Sequence, residues 1–423
     1  MTGCATTGAV RDRGAGHRAV PFRQFVLKVH SRCNLACTYC YIYRGQDSSW
    51  RERPQRAADA TVRRTADRIG EHVRTHGLKH IRIELHGGEP LLAGPGPVVA
   101  YADAVRNAVP ADCEVTATVQ TNGTLLTADV LNTLAAARIR VGLSLDGGTA
   151  AQNARRADHA GRPSWPAAHR AARLLAACPH PGTYAGILCT IDVTADPVAV
   201  YDSLRALRPP GLDLLLPHGN WSAPPPGKQT PGTQAQGRQT PGAQTPGRQA
   251  PGKQAAVPGR HRPGPTPYGD WLATAFDRWW DGGPGQPRIR LFHTIIALLL
   301  GEPAAAEAVG LAPLAVVVID TDGAIEQVDA LKSAYEGAPA TGLDVFSHPL
   351  DAALDHPGIV ARQLGAGALA ADCLSCPVLR VCGGGNYIHR YADGSGFRHP
   401  SVYCPDLERL IRHIGHRLRH VVT

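Results

Sequence analysis

The sequence predicts an α/β fold. A partial (β/α)6 barrel spans residues 21–223, and a separate cysteine-bearing domain spans residues 311–423. Three observations carry this reading. Six apolar runs alternate with helix-patterned segments, polar and glycine-rich motifs close those runs, and seven of the eleven cysteines gather in two clusters. Strand–helix alternation implies a parallel sheet with right-handed crossovers. In such barrels chemistry gathers at the carboxyl ends of the strands.

The elements follow in chain order. Residues 1–20 read as a flexible leader with no apolar core, so they are no signal peptide. The six runs are Phe25–His30, Ile81–His86, Val115–Gln120, Val141–Leu145, Gly186–Ile191 and Leu212–Leu216. Between the first two, Val62, Ala66, Ile69 and Val73 repeat at the 4-3-4 spacing of an amphipathic helix. Residues 224–266 hold 10 Pro and 8 Gly in 43 residues, no acid, and a glycine every five residues from Gly227 to Gly252. That composition has too little apolar surface to offset the entropy of ordering, so a disordered insertion is expected. Residues 267–310 form a helical connector with helices over Trp271–Trp280 and Ile289–Leu300. Leu314–Asp320, the turn Thr321-Asp322-Gly323 and a second extended run predict a hairpin. The chain closes with a helix over Asp406–His420, whose apolar face is Leu407, Leu410, Ile411, Ile414 and Leu418.

Composition excludes several classes. Hydrophobic residues make up 43% of the 423 residues, which rules out a wholly disordered chain. No apolar run reaches the ~18 residues of a membrane span. Net charge is +9, from 44 basic and 35 acidic residues. No basic stripe with interleaved aromatics accompanies it, so neither a nucleic-acid nor a membrane partner is expected. Without an export signal, clustered cysteines read as metal sites in a reducing, cytoplasmic compartment.

The first cluster, Cys33, Cys37 and Cys40, has the spacing C-x3-C-x2-C directly after the first strand. Three thiolates can hold three irons of a 4Fe–4S cubane and leave the fourth open to a chelating substrate. Zinc, with His30 as fourth ligand, is the structural alternative. The second strand runs into His86-Gly87-Gly88-Glu89-Pro90. Its glycines let backbone approach a ligand, and the carboxylate can pair with an ammonium group.

The cysteine segment, with Tyr39 before its third cysteine, resembles the signature of radical S-adenosylmethionine (SAM) enzymes. The resemblance implies a partial TIM-type radical SAM barrel. Its open iron binds SAM, and one electron cleaves SAM to methionine and a 5′-deoxyadenosyl radical. Gly87, Gly88 and Glu89 look like the family's GGEP motif, which holds the methionine amino group. Gln120 and Asn122 lie in a TNG-like segment, and Ser144 and Asp146 in an S-x-DG-like one that approaches the ribose. Arg156 matches a SAM-contacting arginine, and Leu188 an apolar residue beside the adenine.

Cys373, Cys376, Cys382 and Cys404 form the second cluster. Four thiolates also suit a closed zinc site. The spacing resembles the C-terminal half of a SPASM domain and so implies an auxiliary 4Fe–4S cluster. Asn386 and Val328 stand where that pattern has further cysteines, so a single auxiliary cluster is expected. Asp329 falls where the SPASM sulfatase maturases carry a catalytic base.

Further segments, among them Cys37–Tyr43, Leu215–Trp221, Glu326–Lys332 and Cys382–Tyr387, resemble the cyclophane-forming radical SAM/SPASM peptide maturases of the FxsB type. That resemblance implies a carbon–carbon crosslink in a ribosomally made (RiPP) precursor peptide. An electron donor such as ferredoxin or flavodoxin is implied as partner. The alternatives are another radical SAM maturase, forming a thioether or formylglycine, or a non-catalytic iron–sulfur or zinc peptide-binding protein.

Overall fold

The computed structural model describes residues 19–228, 264–304 and 306–422. Nearly all of the expected leader and most of the expected insertion therefore lie outside the described residues. Six parallel strands form the barrel sheet in sequence order: β1 (Gln24–His30), β2 (His80–Gly87), β3 (Glu114–Thr121), β4 (Ile139–Ser144), β5 (Tyr184–Thr190) and β6 (Gly211–Leu215). The helices between them are α1 (Asp59–His76), α2 (Pro95–Ala108), α3 (Ala128–Ala136), α4 (Trp165–Ala176) and α5 (Pro197–Arg205). Their starts are coded locally. Thr127 caps α3 through the Val130 N–H, and Asp196 caps α5 through the Ala199 N–H.

Alternation along the strands decides which side does what. Phe25, Leu27 and Val29 of β1, and Ile81, Ile83 and Leu85 of β2, are buried in the core shared with the helices. The residues between them, Lys28 on β1 and Glu84 and His86 on β2, fall on the opposite face. The inner face thus carries polar groups, continued by Thr118, Gln120, Ser144 and Asp213.

Beyond the barrel come α6 (Pro267–Asp281), a two-residue strand β7 (Arg288–Ile289) beside β6, and α7 (Arg290–Leu299). The hairpin β8 (Val316–Ile319) and β9 (Ala324–Glu326) is followed by β10 (Ala340–Asp344). Then come α8 (Pro357–Gln363), the short helices α9 (Ala371–Leu374) and α10 (Leu379–Cys382), and α11 (Cys404–Val422). One feature departs from the expected separation of two domains. β8 lies parallel to β1, with Gln24 opposite Val316 and Leu27 opposite Ile319. Barrel and hairpin therefore make one open ten-stranded sheet, ordered β10-β9-β8-β1-β2-β3-β4-β5-β6-β7.

The closing helix packs as its pattern predicts, with Leu407, Leu410, Ile411 and Ile414 buried. It meets α6 closely at Gly269, where a Cβ would sit 2.7 Å from the Asp406 carbonyl oxygen. Asp406 accepts the first N–H groups of α6, from Tyr268 at 2.9 Å and Gly269 at 3.0 Å. Lys228, at the described edge of the insertion, is ion-paired to the same carboxylate.

Candidate functional site

The C-x3-C-x2-C loop leaves the carboxyl end of β1 and is held from two sides. On one side it follows the segment after β4, with Ala36 N–H donating to Ala157 O at 2.7 Å and Thr38 N–H to Arg155 O at 3.0 Å. On the other it lies against the end of β2. A Cβ on Gly87 would sit 2.1 Å from His30 O, and one on Gly88 would sit 1.9 Å from Tyr43 Oη. The GG pair therefore admits the loop to the strand end. His30 Nδ1 is engaged by the Arg32 backbone, both contacts at 3.1 Å. Burial pushes the Cys33 thiol up to about 12, and the charges of Glu89, Cys37 and Cys40 push the same way. Cys37 is raised by burial against the pull of Arg156. Desolvated in this way, Cys33 and Cys37 resist ionisation until a metal compensates their charge.

Of the remaining sequence-predicted residues, Asn122, Asp146 and Arg156 touch this loop, whereas Gln120, Ser144 and Leu188 lie on the neighbouring strands β3, β4 and β5. Asn122 donates from Nδ2 to Asn34 at 2.9 Å and to Cys33 Sγ at 3.8 Å. Gln120 donates to Ser144 Oγ at 2.8 Å across β3 and β4. Tyr39 donates its hydroxyl hydrogen to Asp146 at 2.5 Å and accepts from Arg156 at 2.7 Å. Burial raises the Asp146 carboxyl, with Arg156 opposing. Leu188 is half-buried on β5, beside Ser144 in register. Glu89 is fully buried, and its carboxylate already accepts from Leu91 N, Thr121 Oγ1 and Asn122 N at 3.0, 2.8 and 2.7 Å. It braces the ends of β2 and β3, a role the motif alone does not reveal.

Asp329 opens a 3-10 turn after the hairpin and is 7% exposed. Lys28 Nζ donates to its Oδ2 at 2.5 Å and lies 3.5 Å from His86 Nδ1. Burial pushes the Asp329 carboxyl up, but Lys28, His86 and Lys332 overcome it and hold it below the usual range. Its Oδ1 has no hydrogen-bond partner among the described residues. Burial pushes His86 and His218 each down to about 4. His218 packs edge-on to Tyr41 at 4.7 Å and lies 5.6 Å from His389. Motif reading missed Lys28 and His389, whereas Tyr41 and His218 lie within the segments Cys37–Tyr43 and Leu215–Trp221 without a role assigned to them there. The available signal for Lys28 was a charged residue at an even position of an otherwise apolar strand.

Cys373, Cys376, Cys382 and Cys404 line one small cavity together with Leu379, Gly384, Pro400 and Ser401. Burial raises Cys382 to about 11 and Cys404 to about 12, with the neighbouring thiols adding to both. None of the seven cysteines of the two sets forms a disulfide. Val328 is buried in an apolar cluster with Leu331, Ala334, Ile388 and Tyr391. Asn386 accepts from Ile388 N at 3.1 Å. Side-chain packing thus occupies the positions where the SPASM pattern has further cysteines.

The radical SAM superfamily matches residues 27–203 of this chain. The serine-type anaerobic sulfatase-maturating enzyme of Klebsiella aerogenes is 32% identical over 162 residues, covering 37% of this chain and 37% of that protein. The chain thus aligns to less than two-fifths of that curated relative's length. Among solved structures, "Native anSMEcpe with bound AdoMet" superposes with a TM-score of 0.72 at 20% identity, covering 94% of this chain and 99% of that one. "Native anSMEcpe with bound AdoMet and Kp18Cys peptide" gives 0.71 at 19%, covering 94% and 98%. The fold is the mixed α/β radical SAM fold with an open sheet and a C-terminal extension. No described helix is long and apolar enough to cross a membrane.

Proposed function

We propose, from the match of residues 27–203 to the radical SAM superfamily, that this chain modifies peptides and joins an aromatic ring to the β-carbon of a nearby residue. The product is a cyclophane in a ribosomally made precursor. Cys33, Cys37 and Cys40 hold a 4Fe–4S cluster with one iron left for SAM, and Cys373, Cys376, Cys382 and Cys404 hold one auxiliary 4Fe–4S cluster. The donor sets fit these groups: three free thiols crowd one loop, and four line one cavity. Tyr39, Gly87, Gly88, Glu89, Gln120, Asn122, Ser144, Asp146, Arg156 and Leu188 shape the SAM side, and Glu89 also fixes the two strand ends beneath it. When bound and reduced by a ferredoxin- or flavodoxin-type donor, cluster and SAM supply a radical able to take hydrogen from an unactivated carbon.

The chain's own residues do the rest. The polar inner face holds the peptide so that ring and β-carbon stay within ~3–3.5 Å. As the ring regains aromaticity it gives up one electron, which the auxiliary cluster held by Cys373, Cys376, Cys382 and Cys404 would accept, and a strongly acidic proton, so a carboxylate of low basicity suffices to take it. Asp329 meets that need with an ionised side chain and an unpartnered Oδ1. One observation carries the reading. Lys28 on β1 and His86 on β2 stand near the strand ends from which the three-cysteine loop and the His86–Pro90 segment leave, and Lys28 holds the buried Asp329 there at 2.5 Å while lying 3.5 Å from His86 Nδ1.

The test is anaerobic reconstitution with iron and sulfide, then SAM cleavage. Replacing Cys33, Cys37 and Cys40 together by Ala is expected to abolish 5′-deoxyadenosine formation; persistence of that product overturns the reading. A second reading, oxidation of a Ser or Cys to formylglycine, is favoured by the likeness to the sulfatase-maturating enzyme. Mass spectrometry of a co-expressed precursor separates them. A cyclophane loses two hydrogens and stays inert to a hydrazide, a thioether loses a free thiol, and formylglycine reacts as an aldehyde.

A further inference from the structure

On α1, His72 and His76 are one turn apart, so both imidazoles share a face. That face meets the turn Leu350–Asp355, and Asp351 stands against both rings. His76 Nε2 lies 3.1 Å from each Asp351 oxygen, and His72 Nδ1 faces Oδ1. The three ligand atoms lie within 4.8 Å of one another.

The hydrogen bonds around His72 fix its tautomer. His72 Nε2 lies 3.1 Å from the Phe22 carbonyl oxygen. A carbonyl only accepts, so Nε2 carries the hydrogen. In the neutral ring Nδ1 is then a bare lone pair, and it faces a carboxylate oxygen that is also an acceptor. Two acceptors in contact require either a shared proton or a metal ion to join them. An N–H donated to a backbone carbonyl is also the usual outer partner of a metal-ligating histidine.

We propose that His72 Nδ1, His76 Nε2 and Asp351 bind one zinc-type divalent cation, with solvent in the fourth position. Two imidazoles and a carboxylate suit zinc, whereas calcium and magnesium prefer all-oxygen shells. Side-chain exposure supports an open fourth position: 1% for His72, 25% for His76 and 35% for Asp351. The site ties helix α1 of the barrel to the C-terminal turn, 275 residues away from His76. It uses none of the cysteines and stands independently of the function proposed above.

The test uses the full chain with its iron–sulfur sites reconstituted, so that the cysteines are occupied. The protein is stripped with EDTA, titrated with Zn²⁺ and desalted; zinc content and thermal melting are then measured. The expected result is one zinc per chain and a raised Tm for the parent protein. His76→Ala and Asp351→Asn should each bind zinc at least about tenfold more weakly, with iron content unchanged. Two outcomes overturn the proposal: equal zinc retention in parent and variants, or no zinc and no melting response in the parent. The latter would mean that a proton on His72 is the intervening cation. Asp351, on a half-exposed turn, serves if the helix variant fails to fold.

Discussion

Asp329 keeps its charge inside the protein because Lys28 lies against it, with side-chain exposures of 8% and 4%. Removing one member of such a pair strands the other, which costs about 3–5 kcal/mol. Asp329→Asn is therefore expected to lower the denaturant midpoint substantially. On the proposed function it should also slow crosslinking while SAM cleavage persists. Loss of activity through unfolding alone must be separated from loss of the base. Combining the change with Lys28→Met removes the stranded ammonium, so the double variant should be more stable than the sum of the two single effects. If it regains stability but not crosslinking, Asp329 acts on the substrate; recovered crosslinking would leave it only a structural partner of Lys28. The position of Asp329 was legible from its place after Val328, whereas its partner was not. Strand parity alone puts Lys28 inward, and nothing local pairs it with a residue 301 positions away.

At the scale of the element, the cysteine loop depends on the end of β2. A Cβ on Gly88 would meet Tyr43 Oη at 1.9 Å and the Arg32 carbonyl group at 2.5 Å. The tyrosine can move but the backbone cannot, so Gly88→Ala must push the loop off the strand. Iron content after reconstitution is expected to fall from about eight to about four per chain, because only the three-cysteine site is disturbed. A full complement of iron with normal SAM cleavage would contradict this. Spacing made the loop readable as a ligand set, since thiol geometry is local. The scaffolding was less readable. Glu89 resembles a ligand-binding carboxylate in sequence, yet Leu91, Thr121 and Asn122 all donate to it. The latter two contacts arise only once β2 and β3 are paired.

Across the whole molecule, the seam between β1 and β8 makes barrel and C-terminal domain one folding problem. The hairpin was legible from Thr321-Asp322-Gly323, a turn specified by neighbours in sequence. Its docking beside β1 was not, because parallel pairing between distant segments leaves no local periodic signature. Charge reinforces the seam. Arg53 in the loop after the cysteines donates to Glu326 at 2.8 Å and is paired with Asp322. Buried Lys332 lies 3.3 Å from Asp47. A chain ending at Gly310 would leave the outer edge of β1 unpaired. It would also leave Lys28 without Asp329 and Arg53 without its acids. An exposed central strand edge templates association, and uncompensated interior charge destabilises what remains. Such a truncated chain is expected to elute as aggregate on size exclusion and to show no cooperative melt, although the barrel's own strands and helices are all present. A soluble monomer with a sharp transition would mean that the barrel folds alone and that the C-terminal domain merely docks on it.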